Sequence, residues 1–261
     1  MIDIHTHIIP NVDDGSKSVE ETFNLIKEAE KVGFDTIVAT SHYMEEYYEV
    51  ENQERKVWID TINQKLVEQG TNVRLCIGNE IYITDNIIKL LEDGKASTIN
   101  NTSYVLFEMP LNAKPLNLND VVFEMLGSKL VPILAHPERY SFVQKEPDLI
   151  YDLIQKGVLM QCNYGSFYGQ YGRKAEIIAK NLLIKDMVHF LGTDVHKQNT
   201  IYPKIPKIID ELKNMVGEGK VKELTEINPT LALNNKKIDV SEPKHLKMSI
   251  KDIIKMNLNF D

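Results

Sequence analysis

Short apolar runs recur along the chain, and each is followed by a stretch in which apolar residues return every three or four positions. The runs are "MIDIH", "DTIVATSH", "VRLCIGNE", "YVLFEMP", "VPILAHPE", "GVLMQCN" and "VHFLGTDVH". Such runs predict buried strands, and the helical period between them predicts crossover helices, so the alternation is that of a parallel sheet. The helices carry their own punctuation. Ser18 and Glu21 form a capping box ahead of Val19, Phe23, Ile26 and Ala29, and Gly33 stops that run. Thr84 or Asp85 is placed to cap "NIIKLLED" before Gly94, and "PDLIYDLIQKG" opens on proline and closes on Gly157. About seven strands with helices between them predict a (β/α) barrel, complete or open, rather than a small doubly wound sheet. No repeat, low-complexity block or linker interrupts the pattern, so residues 1–261 are expected to form one domain.

Composition and charge narrow the function classes. The 261 residues are 43% hydrophobic and carry 30 Lys and Arg against 38 Asp and Glu, a net charge of −8. That charge is spread along the chain, which argues against nucleic acid as a partner and requires any anionic substrate to be attracted locally. No stretch approaches the roughly 20 apolar residues that span a bilayer, and the polar start is unlike a signal peptide. Membrane insertion is therefore not expected, and a cytoplasmic location is. Cys76 and Cys162 sit within apolar runs and are expected as buried free thiols.

The chemistry lies where the apolar runs end. His5 and His7 stand two apart, so a strand aims both imidazoles at one side. His42, Glu80, Glu108, His136 and the pair Asp194 and His196 each close a different run, and in a barrel those ends converge on one mouth. Asp13 and Asp14, before Gly15, taken alone suit a turn and a helix start. Glu80 and Glu108 are different, because an ionised carboxylate on a buried strand is costly unless paired or coordinated. His5, His7, Asp14, His42, Glu80, Glu108, His136, Asp194 and His196 make a candidate ligand set without a thiolate. Imidazoles mixed with carboxylates suit zinc, manganese or ferrous iron better than calcium or magnesium. The set exceeds the roughly three protein ligands of a single catalytic zinc, so two or three ions sharing carboxylates fit better. His189 and His245 are assigned no site role.

The ordered motifs "HTH", "DDG", "ATSH", "GNE", "FEMP", "AHPER" and "GTDVH", spanning residues 3–196, resemble the PHP (polymerase and histidinol phosphatase) family. Within it they look most like the bacterial capsule-operon metal-dependent protein-tyrosine phosphatases. The resemblance implies an α/β fold, a distorted (β/α)7 barrel of TIM-barrel-like form, holding three divalent metal ions: manganese first, with iron or zinc as alternatives. It implies that His5, His7, Glu80 and Asp194 hold one ion, that Glu80, Glu108 and His136 hold a second, and that Asp14, His42 and His196 hold the third. Either Asp14 or its neighbour Asp13 is the ligand, the other being left to act on protons or water; Asp13 is the expected catalytic one. The implied reaction is hydrolysis of phosphotyrosine by a metal-activated hydroxide without a covalent intermediate. The implied substrate is a bacterial tyrosine autokinase of capsule or exopolysaccharide synthesis.

Three divalent ions against Asp14, Glu80, Glu108 and Asp194 leave a site cationic by about two charges, which suits a phosphate dianion. Arg139, three residues past His136, is placed to grip phosphoryl oxygens, the bland alternative being a surface salt bridge. The related sequences often carry a further arginine about five residues after the "DxH" motif; here Ile201 stands there and Lys197 is the nearest cation. Ser41 stands where that branch usually has proline, a loop change without chemical consequence. A tyrosine phosphate leaves as a phenolate of pKa about 10 and needs little help from an acid, which favours it over alkyl phosphates. Tyr43, Tyr47, Tyr48, Phe167, Tyr168 and Arg173 are expected to rim the mouth. The thiolate route is closed, because the residues six positions after Cys76 and Cys162 are Tyr82 and Tyr168 rather than arginine. The alternatives are a small-molecule phosphatase, for example of histidinol phosphate, a non-catalytic kinase-binding module, and a metal-dependent amide hydrolase. Beyond residue 216 the one amphipathic segment is "SIKDIIKM".

Overall fold

The computed structural model describes residues 1–246 and 255–256, so most of "SIKDIIKM" lies outside the described residues. Its strands are β1 (Ile2–Thr6), β2 (Thr36–Ala39), β3 (His42–Tyr43), β4 (Arg74–Ile77), β5 (Glu80–Tyr82), β6 (Tyr104–Glu108), β7 (Val131–Ala135), β8 (Leu159–Asn163) and β9 (Phe190–Gly192). All neighbouring strands run parallel, in the orders β1-β2-β4 and β3-β5-β6-β7-β8-β9. Every predicted run forms a strand, and two of them are broken in the middle. The chain passes from β2 to β3 through Thr40 and Ser41, and from β4 to β5 through Gly78 and Asn79. The ring then closes between its ends, where the Asp194 N–H donates to the His5 carbonyl at 2.9 Å and the His7 N–H to the Val195 carbonyl at 3.0 Å. The result is a seven-membered parallel barrel whose order around the mouth is β1, β2/β3, β4/β5, β6, β7, β8, β9.

The distortion has a local cause. β6 pairs with β5 and leaves the outer edge of β4 without a neighbouring strand. Asn63, from the helix Asn52–Glu68, covers that edge: it accepts from the Leu75 N–H at 2.8 Å and donates to the Leu75 carbonyl at 3.0 Å, as a paired strand would. Gly78 allows the break, since a Cβ there would lie 2.9 Å from Val38 Cγ1 and 3.0 Å from Thr40 Cγ2. A register shift between Asp3 and Thr6 marks a second irregularity. Ile2 and Ile4 pack with Val38, Cys76, Leu106 and Ile133 inside the barrel, yet His5 also faces inward at the mouth, so the irregularity re-aims β1 where the chemistry begins. Asp3 stays with the outer layer and joins β1 to β9, accepting from Thr193 N–H and Oγ1 and from the Tyr202 hydroxyl.

The helices start and stop close to their sequence signals. Ser18 Oγ caps the helix Val19–Lys31 by accepting from the Glu21 N–H, while the Glu21 carboxylate reaches back to the Lys17 N–H rather than that of Ser18. The helix Ile87–Glu92 begins after Asn86, a correction to the expected cap at Thr84 or Asp85. Thr84 Oγ1 instead accepts from the Asn86 N–H, and Asp85 is taken by Asn117. Gly33, Gly94 and Gly157 end their helices with φ of +97°, +68° and +104°, where a side chain would be strained. Cys76 and Cys162 are buried and free, and burial pushes both thiols up. Among the described residues no helix is long and apolar enough to cross a membrane.

His189, left without a site role, is built into this frame. Its N–H donates to the Met160 carbonyl and its Nδ1 accepts from the Met160 N–H, extending the β8–β9 pairing by one rung. Burial, reinforced by the Lys220 ammonium, pushes its pKa down to about 3. An unfolded histidine takes up a proton near pH 6.5 and the folded one does not until about 3, so the unfolded state binds more protons and stability falls as pH drops through that interval. His189→Gln should therefore flatten the acid limb of a stability-against-pH curve by about 1.4 kcal/mol per pH unit between pH 6 and 4, measured by urea unfolding. Identical slopes for the variant and the parent would contradict a neutral buried imidazole.

Candidate metal centre

The barrel brings all nine expected ligands to one mouth. His5 and His7 leave β1, His42 opens β3, Glu80 opens β5, Glu108 ends β6, His136 follows β7, and Asp194 and His196 follow β9. Parallel strands put these carboxyl ends on one side, so residues 189 positions apart in the chain, such as His5 and Asp194, become neighbours. His5 Nε2 and His7 Nε2 lie 3.1 Å apart, and Glu80 Oε2 stands 3.1 and 3.3 Å from them. Asp194 Oδ1 closes the group at 3.5 and 3.3 Å. His42 Nδ1 lies 3.1 Å from Glu80 Oε2 and 3.0 Å from Glu108 Oε1, and its Nε2 faces Asp14 Oδ1 at 3.6 Å. His196 Nε2 is 3.2 Å from the same Asp14 oxygen.

Three overlapping groups offer ligand atoms within 4.8 Å of one another: His5, His7, Glu80 and Asp194; His42, Glu80 and Glu108; and His7, Asp14, His42 and His196. The first is the set implied by the resemblance, and the third is the implied set with His7 added. In the second, His42 stands where His136 was expected. His136 Nε2 instead bonds Glu80 Oε1 at 2.8 Å and lies 3.9 Å from Glu108 Oε2.

The electrostatics fit a cation site. Glu80 is fully buried, and its Oε2, at the centre of the imidazoles, has no hydrogen-bond partner; neither has His136 Nδ1. Burial opposes the Glu80 carboxylate, but the adjacent His5 and His42 imidazoles, with the hydrogen bond from His136, hold its pKa well below the usual range. Asp194 is likewise buried and held down by His5 and by a hydrogen bond from His7. The counterpart is that three of the imidazoles are pushed toward protonation: burial opposes the His42 imidazolium, yet Glu80 and Glu108 outweigh it and raise its pKa to about 9, and Glu80 and Asp194 raise His5. His7 is raised too, by Asp13 against burial. Five imidazoles around four carboxylates thus demand positive charge at their centre, which protons supply when metal does not. The backbone is strained at two of these positions, with φ of 34° at His136 and 53° at Asp194, neither a glycine.

A layer of polar residues that sequence reading missed holds the ligands. Gln161 Oε1 faces His5 Nδ1 at 2.7 Å, Gln161 Nε2 donates to Asn163 Oδ1 at 2.9 Å, and Asn163 Nδ2 donates to Asp194 Oδ2 at 2.7 Å. Their signal was present in "MQCN", where the two amides have the same spacing as His5 and His7. Gly192 makes room for this chain, since a Cβ there would stand 2.7 Å from His5 Cβ and 2.9 Å from Gln161 Nε2. Asp13, expected as catalytic, has neither oxygen free. Its Oδ2 faces His7 Nδ1 at 2.8 Å and accepts from the His42 N–H at 3.0 Å, while Oδ1 accepts from the Gly15 N–H at 2.9 Å. That geometry makes Asp13 an orienting group for His7 and leaves Asp14, half-exposed, facing the cluster.

Arg139 is neither free nor on the surface. Its Nη1 donates to the buried Asp194 Oδ2 at 2.7 Å, and its guanidinium lies 4.4 Å from the centre of the Tyr171 ring. Together with Asp14, Asp194, His196, Lys197 and Ile201 these two line a cavity of about 450 Å³ beside the cluster. The expected rim is corrected in part. Tyr47 and Tyr168 are exposed and Tyr48 stacks on His42 at 5.6 Å, but Tyr43 and Phe167 are each only 2% exposed and belong to the core. Arg173 is exposed and pairs with Glu176. Ser41 contributes through its carbonyl, which accepts from the Asn79 amide and the Glu80 N–H.

Over 247 residues the chain is 28% identical to the tyrosine-protein phosphatase YwqE of Bacillus subtilis, covering 95% of this chain and 97% of the relative. It is 29% identical to the tyrosine-protein phosphatase CpsB of Streptococcus pneumoniae over 234 residues, covering 88% and 96%. Among solved structures, one from the work on YwqE and CpsB as metal-dependent tyrosine phosphatases superposes with a TM-score of 0.90 at 27% identity, covering 95% of this chain and all of that one. The sequence model of capsular polysaccharide synthesis proteins CpsB/CapC matches residues 1–234. With its barrel closed in this way and nine-tenths of its length matched by that model, the chain belongs to the CpsB/CapC family of capsular polysaccharide synthesis.

Proposed function

We propose that this protein is a metal-dependent protein-tyrosine phosphatase, a phosphoric monoester hydrolase. The observation that carries this is the adjacency of the buried imidazole–carboxylate cluster to a cavity offering both a guanidinium and an apolar, aromatic wall. The relatives bearing the same name supply the substrate class. His5, His7, Glu80 and Asp194 would hold one divalent ion, Glu80 and Glu108 with His42 or His136 a second, and Asp14, His42 and His196 a third, with manganese the leading choice. Bound there, such ions would draw charge from the phosphoryl oxygens and lower the pKa of water.

The chain's own groups bind and orient. Arg139, stacked on Tyr171, presents donors to the phosphoryl group in exchange for its bond to Asp194. Tyr171 brings an aromatic ring to the cavity, which suits a phenyl group better than an alkyl phosphate, while Val195 and Ile201 in the same lining are each only 1% exposed. Asp14 is kept ionised by the hydrogen bond from His196, so it serves as a ligand and not as an acid. A phenolate leaving group tolerates this, as its pKa of about 10 makes protonation less pressing. No thiol takes part, because Cys162 is fully buried and its pKa lies well above the ordinary value. The physiological substrate in this reading is a cytoplasmic phosphotyrosine protein, a tyrosine autokinase of polysaccharide synthesis.

Chelation followed by dialysis should abolish hydrolysis of phosphotyrosine peptides, and manganese should restore it with three ions per chain by elemental analysis. Undiminished turnover by the metal-stripped protein would defeat the proposal, and a higher kcat/KM for histidinol phosphate would move the substrate to the small-molecule class. Asp13→Asn should leave the fold intact and weaken manganese binding by roughly 10- to 100-fold, read by metal titration, because His7 loses the partner that orients it. Arg139→Ala should lower kcat/KM for phosphotyrosine about 100-fold with metal content unchanged. Full activity in that variant would remove Arg139 from the phosphate site.

A further inference from the structure

The two sides of the mouth carry opposite charge. After β3, the segment 44–51 reads MEEYYEVE, with Glu45, Glu46, Glu49 and Glu51 and no lysine or arginine. None of these four carboxylates has a cation within 4.0 Å among the described residues. The segment reaches the site itself, since Tyr48 stacks on His42 and Met44 pairs with Tyr48. Opposite lies the loop after β8. β3 and β8 stand three places apart in a ring of seven, as far apart as such a ring allows.

Cations reach that loop from the segment after β9, which itself stands two places from β3 in the ring. Lys204 Nζ and Lys207 Nζ lie 5.1 and 5.3 Å from the centre of the exposed Tyr168 ring. Neither lysine has a carboxylate within 4.0 Å among the described residues, and the nearby Glu176 is already paired with Arg173 and Lys180 at 2.8 and 2.6 Å. Segment 195–207 contains Lys197, Lys204 and Lys207 and no acidic residue. Two ammonium groups drawn to one aromatic face repel each other and are left without an anion, in a protein whose net charge is −8. The chain ties the ledge to the cavity lining at two points: Tyr168 is three residues from Tyr171, and Lys204 is three residues from Ile201. Three residues of chain span at most about 11 Å.

We propose that Tyr168, Lys204 and Lys207 form a second anion subsite, which holds an acidic or phosphorylated residue of the substrate two to four positions from the phosphotyrosine being hydrolysed. This rests on the phosphotyrosine reading of the cavity and extends it to the sequence around the target. The Glu45–Glu51 segment repels an anion placed on the other side, so the mouth distinguishes one flank of the peptide from the other. A substrate segment with anions on one side of its target tyrosine is oriented before it is cleaved.

The test uses the manganese-loaded protein and fluorescent peptides with one non-hydrolysable phosphotyrosine phosphonate, read by fluorescence anisotropy. Neutral flanks are compared with glutamate, or a second phosphotyrosine phosphonate, three residues before or three residues after. An anion on one flank should tighten binding about three- to tenfold, more for the phosphonate than for glutamate, and the opposite flank should give no gain. The gain should fall with added salt and disappear in K204A/K207A, two exposed or half-buried lysines away from the core, whose binding of the neutral peptide stays unchanged. Equal gains on both flanks, no gain on either, or a gain that survives in K204A/K207A would overturn the subsite while leaving the phosphotyrosine reading in place. Loss of all dependence on the central phosphonate would instead overturn that reading.

Discussion

Everything at the mouth of this barrel depends on one buried carboxylate. Glu80 is inaccessible to water, and an ionised group in that position is tolerated only where positive charge surrounds it. His5, His7, His42 and His136 all approach its two oxygens within 3.3 Å, and one of those oxygens still lacks a hydrogen bond. The carboxylates push His5, His7 and His42 toward their protonated forms, and those charges then oppose one another, the His7 charge working to lower the pKa of His42 4.4 Å away. A cation placed among them relieves both conflicts at once. The cluster is therefore a candidate cation site, with donors and charge that a metal ion would satisfy together.

The barrel is shaped around that demand. Its breaks fall just before the two ligand-bearing strands: Thr40 and Ser41 precede His42, and Gly78 and Asn79 precede Glu80. Arg55, fully buried, ties these breaks together through Asn79 and the Gly78 carbonyl, and Asn79 in turn donates to the Ser41 carbonyl. β1 shifts register before His5, and the left-handed backbone at His136 and Asp194 turns both side chains inward. Departures from regular strand geometry thus gather at the end of the barrel that carries the chemistry, while the opposite half keeps a plain apolar interior of Ile2, Tyr104, Ile133 and Leu159.

Much of this was legible in the sequence for a physical reason. Strands buried on both faces leave continuous apolar runs, and a polar residue closing such a run is conspicuous because burial there is costly. That is why the barrel and its ring of imidazoles and carboxylates could be anticipated from seven runs. The breaks were hidden because tertiary partners cause them: Asn63 covers the edge of β4 from a helix that no local pattern connects with Leu75. Gln161 and Asn163 were passed over because neutral amides cost less to bury than charges do. Asp13 and Asp14 are adjacent and chemically identical, so only the fold separates the one that orients His7 from the one that faces the cluster. Tyr43 and Phe167 were misplaced on the rim because proximity to the mouth in sequence says nothing about which face a side chain takes.

Anomalous diffraction from crystals of the manganese-loaded protein locates the ions. Strong manganese peaks are expected within about 2.5 Å of a Glu80 carboxylate oxygen, with His5, His7 and Asp194 completing the coordination of one of them. Difference density showing fully loaded crystals with manganese elsewhere and Glu80 still bonded only to imidazoles would contradict this assignment.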